Sequence, residues 1–244
     1  MSKFNLDKFK SISLNEMDSV SLMKRVDTKF IIHKEQLPHL LNTVYSDYRV
    51  LEINQNRVMT YKSNYFDTPN SNLYLLHHNG KASRVKVRIR NYVESNLFFL
   101  EVKQKSNKGN TKKNRIAVQS LHEKLDEKSL SFIHKLTGKN YPLKKSINNQ
   151  FNRFTLVNNQ MTERVTIDTS LSYSSITFNE NLVILELKQS RHNRHSSVYT
   201  SLKNLGIRPM RISKYCMGMA KNNPSLKQNS FKCKFKKITK ITKS

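Results

Sequence analysis

The stretch Arg84-Val-Lys-Val-Arg-Ile-Arg-Asn-Tyr92 places a cation at every second position. Side chains alternate across a strand, so Arg84, Lys86, Arg88 and Arg90 share one face and Val85, Val87 and Ile89 the other. The design recurs along the chain. Glu101, Lys103 and Lys105 oppose Leu100 and Val102, and Arg25, Asp27 and Lys29 oppose Val26, Thr28 and Phe30. Lys113 and Arg115 face away from Ile116 and Val118, and Arg164, Thr166 and Asp168 from Val165 and Ile167. Glu186 and Lys188 oppose Val183, Leu185 and Leu187. Arg offers phosphate oxygens a planar, permanently charged fork, and Lys offers a point charge. The scattered acids Asp27, Glu101, Asp168 and Glu186 suggest oxygen ligands for Mg²⁺ or Mn²⁺ bridging to phosphate; in-sheet salt bridges are the plainer reading of each. Glu186, mid-strand between two leucines and two residues from Lys188, is the leading metal candidate.

Strands must position these groups. Alternation and turn residues predict strands at about 25–32, 57–67, 84–92, 97–105, 113–119, 151–157, 164–173 and 182–189. Helical spacing and caps predict helices at about 11–24, 35–46, 70–79, 122–137, 196–205 and 213–221. Strand runs interrupted by helices read as α+β, with a largely antiparallel sheet or barrel. Two geometries follow. Charged faces turned to water would need helices on the apolar face alone. A closed sheet would line a lumen with cations, and that lumen would demand a multiply charged anion. Alternation is the same in both. From Asn222 onward the chain is polar and basic, expected as a mobile tail, although KCKFKKITKI also alternates weakly as a terminal strand would.

The 244 residues carry 44 Lys+Arg against 17 Asp+Glu, a formal charge of +27. Such a chain needs a polyanionic partner or suffers strong self-repulsion. With 36% apolar residues, twelve Phe and ten Tyr, it is not a disordered polycation. No apolar run approaches the ~18–20 residues of a membrane helix, and MSKFNLDKFK lacks the apolar stretch of a secretory signal. The expectation is a cytoplasmic protein without a transmembrane segment. Cys216 and Cys233 have no zinc-site spacing, and P-loop, GxGxxG and HExxH motifs are absent. No specific nucleic-acid signature appears either, and aromatics do not interleave with the cations of 84–90. The run Lys232–Lys240 reads as a solvated basic surface, with contact to an anionic membrane or a separate membrane partner as the alternative.

Taken in order, Arg25-VDT-Lys29, Tyr65-FD-Thr68, Arg84-VKVRIRN-Tyr92, Glu101-V-Lys103, Lys113-N-Arg115, Arg164-VTI-Asp168, Glu186-L-Lys188 and Ser213-Lys-Tyr215 resemble the VTC domain. This is the polyphosphate polymerase domain of the vacuolar transporter chaperone, within the triphosphate tunnel metalloenzyme superfamily. The resemblance implies an antiparallel barrel forming a basic tunnel, wrapped by helices, as one domain over 1–221 followed by the tail 222–244. It implies phosphate ligands at Arg25, Lys29, Arg88, Arg90, Lys103, Lys113, Arg115, Arg153, Arg164, Lys188 and Lys214, and a metal carboxylate at Glu186. Its implied activity is transfer of the ATP γ-phosphoryl group to inorganic polyphosphate with Mn²⁺ or Mg²⁺. Hydrolysis of tripolyphosphate or nucleoside triphosphate, and non-catalytic binding of polyphosphate or inositol phosphate, are the alternatives. Tunnel phosphatases and adenylate cyclases of this kind open with Glu-x-Glu-x-Lys. Here that register reads Arg25-x-Asp27-x-Lys29, which exchanges a metal carboxylate for a phosphate-binding cation and favours the polymerase branch.

Overall fold

The structure is a computed structural model that describes residues 4–18 and 26–243. Arg25, first of the expected phosphate ligands, lies outside the described residues. The chain forms β1 (Lys10–Ile12), α1 (Leu14–Asp18), β2 (Val26–His33), α2 (Gln36–Val44), β3 (Tyr48–Leu51), β4 (Met59–Asp67), α3 (Asn72–His78), β5 (Arg84–Tyr92), β6 (Leu97–Lys105) and β7 (Thr111–Ala117). It continues with α4 (Glu127–Thr137), β8 (Lys144–Asn158), β9 (Glu163–Tyr173), β10 (Ile176–Thr177), β11 (Leu182–Gln189), α5 (Ser197–Asn204), α6 (Lys214–Asn222) and α7 (Asn229–Lys243).

One sheet of 11 strands holds the site, its main path running β2-β11-β9-β8-β4-β5-β6-β7 with antiparallel neighbours throughout. Off this path, β1 runs parallel to β3, β3 joins β8, and β10 joins β9. Among the described residues β2 and β7 share no ladder, so the curled sheet keeps an open seam between its two ends. Register shifts in the β4–β8 and β8–β9 ladders supply bends of the kind that curl a sheet.

Register puts the charges on one face. Glu186 stands between Lys29 and Thr166, Lys188 between Asp27 and Arg164, and Glu101 between Arg88 and Arg115. The opposite face is dry. Phe30, Val165, Ile167, Val183, Leu185 and Leu187 pack beneath α2 and α5, while Val87, Ile89, Leu100 and Val102 meet Ile133 of α4. In α2 the buried Leu37, Leu40, Leu41 and Val44 repeat at helical spacing, giving the stripe that covers β2. With its apolar side under helices, the sheet turns its charged side into a lumen. The barrel-like tunnel of the expected α+β class is the geometry found.

The helix expected at about 11–24 begins later, since Ser11 and Ile12 pair with β3 in strand β1 and α1 starts at Leu14, while residues 19–24 lie outside the described residues; β3 itself is not among the expected strands. Two further segments differ. β8 begins at Lys144, not near 151, because KKSINNQ is polar and weak in strand propensity yet pairs along β4. Residues 229–243, expected as part of a mobile tail or a strand, form the helix α7. Phe231, Ile238 and Thr242 are buried on it, with Phe235 and Ile241 packed beside them against α6, α3 and the end of β2. The intervening lysines masked that helical spacing. No helix among the described residues is long and apolar enough to cross a membrane.

α6 packs its Cys216, Met217, Met219 and Ala220 against Ile31, Ile147, Tyr173 and Ile184. Gly218 makes this approach possible, since a Cβ there would meet Tyr173 Cε1 at 2.3 Å and Ile147 Cδ1 at 2.8 Å. Gly218→Ala is therefore expected to destabilise the protein by about 1–3 kcal/mol, the cost of overpacking, read as a lower denaturant midpoint. Ile238→Ala should cost about 2–4 kcal/mol if α7 is docked as described. An unchanged midpoint would instead mean a detached tail.

Candidate functional site

The charged faces surround a cavity of about 470 Å³. Eight of the cations expected from the sequence line it: Lys29, Arg88, Arg90, Lys103, Lys113, Arg153, Lys188 and Lys214. Arg84, Lys86 and Lys105, which share their strands' charged faces, line it too. Against these eleven cations stand three lining carboxylates, Asp27, Glu101 and Glu186. Arg115 and Arg164 do not line the cavity. Arg115 is exposed on β7 with its guanidinium 4.5 Å from the centre of the Phe99 ring. Arg164 donates through Nη2 to the Met17 carbonyl of α1 at 3.2 Å.

Each acid holds cations in place. Glu101, only 2% exposed, accepts from Arg88 at 2.5 Å and from Lys113 at 2.5 Å. Asp168, equally buried, receives a two-pronged contact from Arg153, at 2.5 Å from Nε and 2.8 Å from Nη2, and a further bond from Lys214. It does not line the cavity itself. Glu186 accepts from Lys29 at 2.6 Å. Burial opposes ionisation of all three carboxyls, but the adjoining cations outweigh it and hold each below the usual carboxylate range. The lysines move the other way. Burial lowers Lys103 and Lys214, and burial with Lys103 and Arg84 nearby brings Lys86 down to about 8.

Arg90 differs from Arg88 in that no carboxylate among the described residues bonds to its guanidinium. Its Nε donates to Ser63 Oγ at 3.3 Å, and its guanidinium lies 5.3 Å from the Tyr61 ring and 5.7 Å from that of Phe151. Tyr61 and Phe151 stack nearly parallel, and Arg153 and Lys214 rest on the same pair. This aromatic floor steers three cations through their contact with ring faces. The sequence offered no signal for it, since only the β4–β8 register brings Tyr61 opposite Phe151.

α6 completes the wall. Its cap Ser213 accepts from the Cys216 amide at 3.3 Å and from Lys86 Nζ at 2.9 Å, and Lys214 and Tyr215 follow into the lining. A helix start aims its positive end at this lumen. Tyr215 donates its hydroxyl to the fully buried Asp67, which also accepts from the amides of Thr68, Leu73 and Tyr74. One carboxylate thus ties α6 to the start of α3.

The donors suit a divalent ion that arrives with phosphate. No group of three or more His, Cys, Asp or Glu converges among the described residues. Asp27 and Glu186 do line the same cavity from adjacent strands. Mg²⁺ is ordinarily held by one or two carboxylates with phosphate oxygens and water filling its octahedron, so this pair fits it.

Known proteins locate this architecture. A candidate adenylate cyclase from Bacillus halodurans superposes with a TM-score of 0.52 at 17% identity, covering 78% of this chain and 94% of that one. A Hippeastrum protein, described as a candidate adenylyl cyclase with a dominant triphosphatase activity, superposes with a TM-score of 0.53 at 14% identity, covering 82% and 96%. At these identities the likeness is one of fold. No curated protein matches the sequence. The model of the VTC domain matches residues 24–223, from the strand carrying Lys29 to the end of α6. The chain that builds this tunnel belongs to the VTC domain family.

Proposed function

We propose that the protein is a polyphosphate polymerase, transferring the γ-phosphoryl group of ATP to the end of a polyphosphate chain inside the tunnel. The observation that carries this reading is the balance of the lining, eleven cations against three carboxylates, with Glu101 already engaged by two cations. In the transfer, a terminal phosphate oxygen of the acceptor bonds to the γ-phosphorus, the bond from that phosphorus to the β–γ bridging oxygen breaks, and ADP leaves. The attacking oxygen is already ionised, so no strong general base is needed. Phosphoryl transfer asks of a protein chiefly positioning and charge neutralisation. Lys29, Arg88, Arg90, Lys103, Lys113, Arg153, Lys188 and Lys214 supply both. Glu101 and Asp168 orient the cations that flank them. Glu186 and Asp27 would hold Mg²⁺ or Mn²⁺, which neutralises β and γ oxygens when bound.

A triphosphatase is the second reading. The Hippeastrum protein of similar fold is described as having that activity, and the Asp27–Glu186 pair could serve water as well as phosphate. The two readings separate in one experiment. Purified protein is given ATP, Mn²⁺ and a trace of pyrophosphate primer, and products are resolved by gel and phosphorus NMR. The expected product is long polyphosphate, lost when Glu186 is replaced by Gln. Orthophosphate alone, released from tripolyphosphate, would make the protein a hydrolase. Tight polyphosphate binding without turnover would leave a binding module.

Arg88 and Arg90 should behave differently. Arg90→Gln is expected to weaken tripolyphosphate binding by about 10–100-fold, the loss of one charge-assisted contact, while leaving thermal stability unchanged or higher. Arg88→Ala strips Glu101 of one of its two cations and should lower stability by about 3 kcal/mol. Equal stability losses in both would place Arg90 in the scaffold instead of the binding set.

Lys86 and Lys113 give the pH dependence. Burial brings each ammonium down to about 8 in the fold against 10.5 in the open chain, so the unfolded state holds more protons between these values. The empty protein should therefore gain stability as pH rises through that window. A bound polyanion favours the charged lysine, so tripolyphosphate affinity should fall from pH 7 to 9. Binding at pH 8 should take up protons, read as a calorimetric heat that varies with buffer ionisation enthalpy. A heat independent of buffer would remove both lysines from the anion site.

A further inference from the structure

The chain carries no acid after Glu186, and helix α7 is the most basic part of that stretch. α7 lies beyond residues 24–223, the span of the family domain. Its apolar side is consumed by packing, with Phe231, Ile238 and Thr242 buried. The opposite side presents Lys232, Lys236, Lys240 and Lys243, all exposed. At 100° per residue these four fall within one narrow stripe, about 16 Å long at 1.5 Å per residue. No carboxylate pairs with any of them among the described residues. Like charges four apart on a helix repel, and no carboxylate among the described residues offsets that repulsion.

The stripe starts beside the tunnel. The first turn of α7 packs on α3, where the Ser230 amide donates to His78 Nε2 at 3.3 Å and the Phe231 ring sits 5.4 Å from that of His78. The neighbouring His77 lines the tunnel with Arg84, Lys86 and Lys105. Burial holds the His77 imidazole down at about 2, with Lys86, Arg84, Lys234 and Lys105 adding to the effect, which sets Lys234 of α7 in the same electrostatic neighbourhood. Lys234 itself lies off the stripe, so the cations continue from the tunnel lining to the first turns of α7, where Lys232 opens the stripe.

From this continuity we infer that the lysine stripe of α7 is a second binding site, a track for the part of a linear polyphosphate chain that extends outside the tunnel. The inference rests on the reading of the tunnel as a polyphosphate site. A linear polyanion suits a single row of point charges. Insertion into a lipid surface would need exposed apolar residues, which α7 has spent on the protein core. The track would add affinity only for chains longer than the tunnel, and would hold a growing chain between additions.

The test compares tripolyphosphate with polyphosphate of about 60 units, measured by calorimetry at several salt concentrations on the full chain. The first variant is Lys232→Gln/Lys236→Gln/Lys240→Gln/Lys243→Gln. The control, Lys124→Gln/Lys128→Gln/Lys135→Gln/Lys139→Gln, removes the same charge from exposed positions around α4. All eight side chains are exposed, so both variants should keep the parent thermal midpoint. The expected result is unchanged tripolyphosphate affinity in the α7 variant, with long-chain affinity reduced roughly tenfold and its salt slope smaller by about 2–3. The control should retain the long-chain advantage. An α7 variant that keeps that advantage, or a control that loses it equally, overturns the track. Phosphatidylserine vesicles bound by the parent and lost with the α7 lysines, while long-chain affinity stays intact, would reassign the face to membrane. A parent that binds neither polymer overturns the polyphosphate reading and the track together, whereas one that binds both equally removes the track alone.

Discussion

Mutual repulsion among cations is the constraint to which the rest of this protein answers. Lys29, Arg88, Arg90, Lys103, Lys113, Arg153, Lys188 and Lys214 point into one enclosed space, where charges are poorly screened. Two buried carboxylates and one half-buried one are distributed so that Glu101 and Asp168 each serve two cations and Glu186 is bonded to Lys29. They soften the repulsion without cancelling it. Folding energy must then come from elsewhere, and the fold supplies it on the outer face, where α2, α5 and α4 cover the strands' apolar side. Most cohesion lies outside and the charge inside, with one further apolar cluster where α6 packs on Ile31, Ile147 and Ile184 at the end of the charged face.

The aromatic floor and the α6 cap serve the same end. Tyr61 and Phe151 give Arg90, Arg153 and Lys214 a neutral surface that attracts cations without consuming their charge. Asp67 acts at a distance from the cavity, fixing Tyr215 and with it the start of α6. Gly218 then lets that helix sit close to Tyr173 and Ile147.

The period-two alternation made much of this legible. The strands expected at 84–92 and 97–105 are β5 and β6, and the charged face expected on each is the face that lines the tunnel. Alternation reports which side a residue faces, not how far along the barrel it lies. Arg115 and Arg164 obey the pattern yet miss the cavity, one out on the edge strand and the other bonded to α1. Lumen and solvated face were indistinguishable for a related reason, because the choice depends on sheet curvature and not on any local sequence. β3 escaped notice, and the end of β1 reads as the start of a helix, because each is short and exists through pairing with distant chain. α7 was hidden by its own lysines. The partner of each buried acid needed the register, which eleven strands determine together.

The seam between β2 and β7 gives the tunnel a mechanical character that a closed ladder would not have. Around a complete barrel the circumference is fixed by hydrogen bonds, and widening it means breaking them. Among the described residues no ladder joins β2 to β7, so the perimeter can widen there without breaking one. The exposed Lys112, Lys113 and Arg115 of β7 also protect that edge, since a charged strand is a poor template for another chain. The same cations that would receive a polyanion keep a second protein from zipping the slot shut.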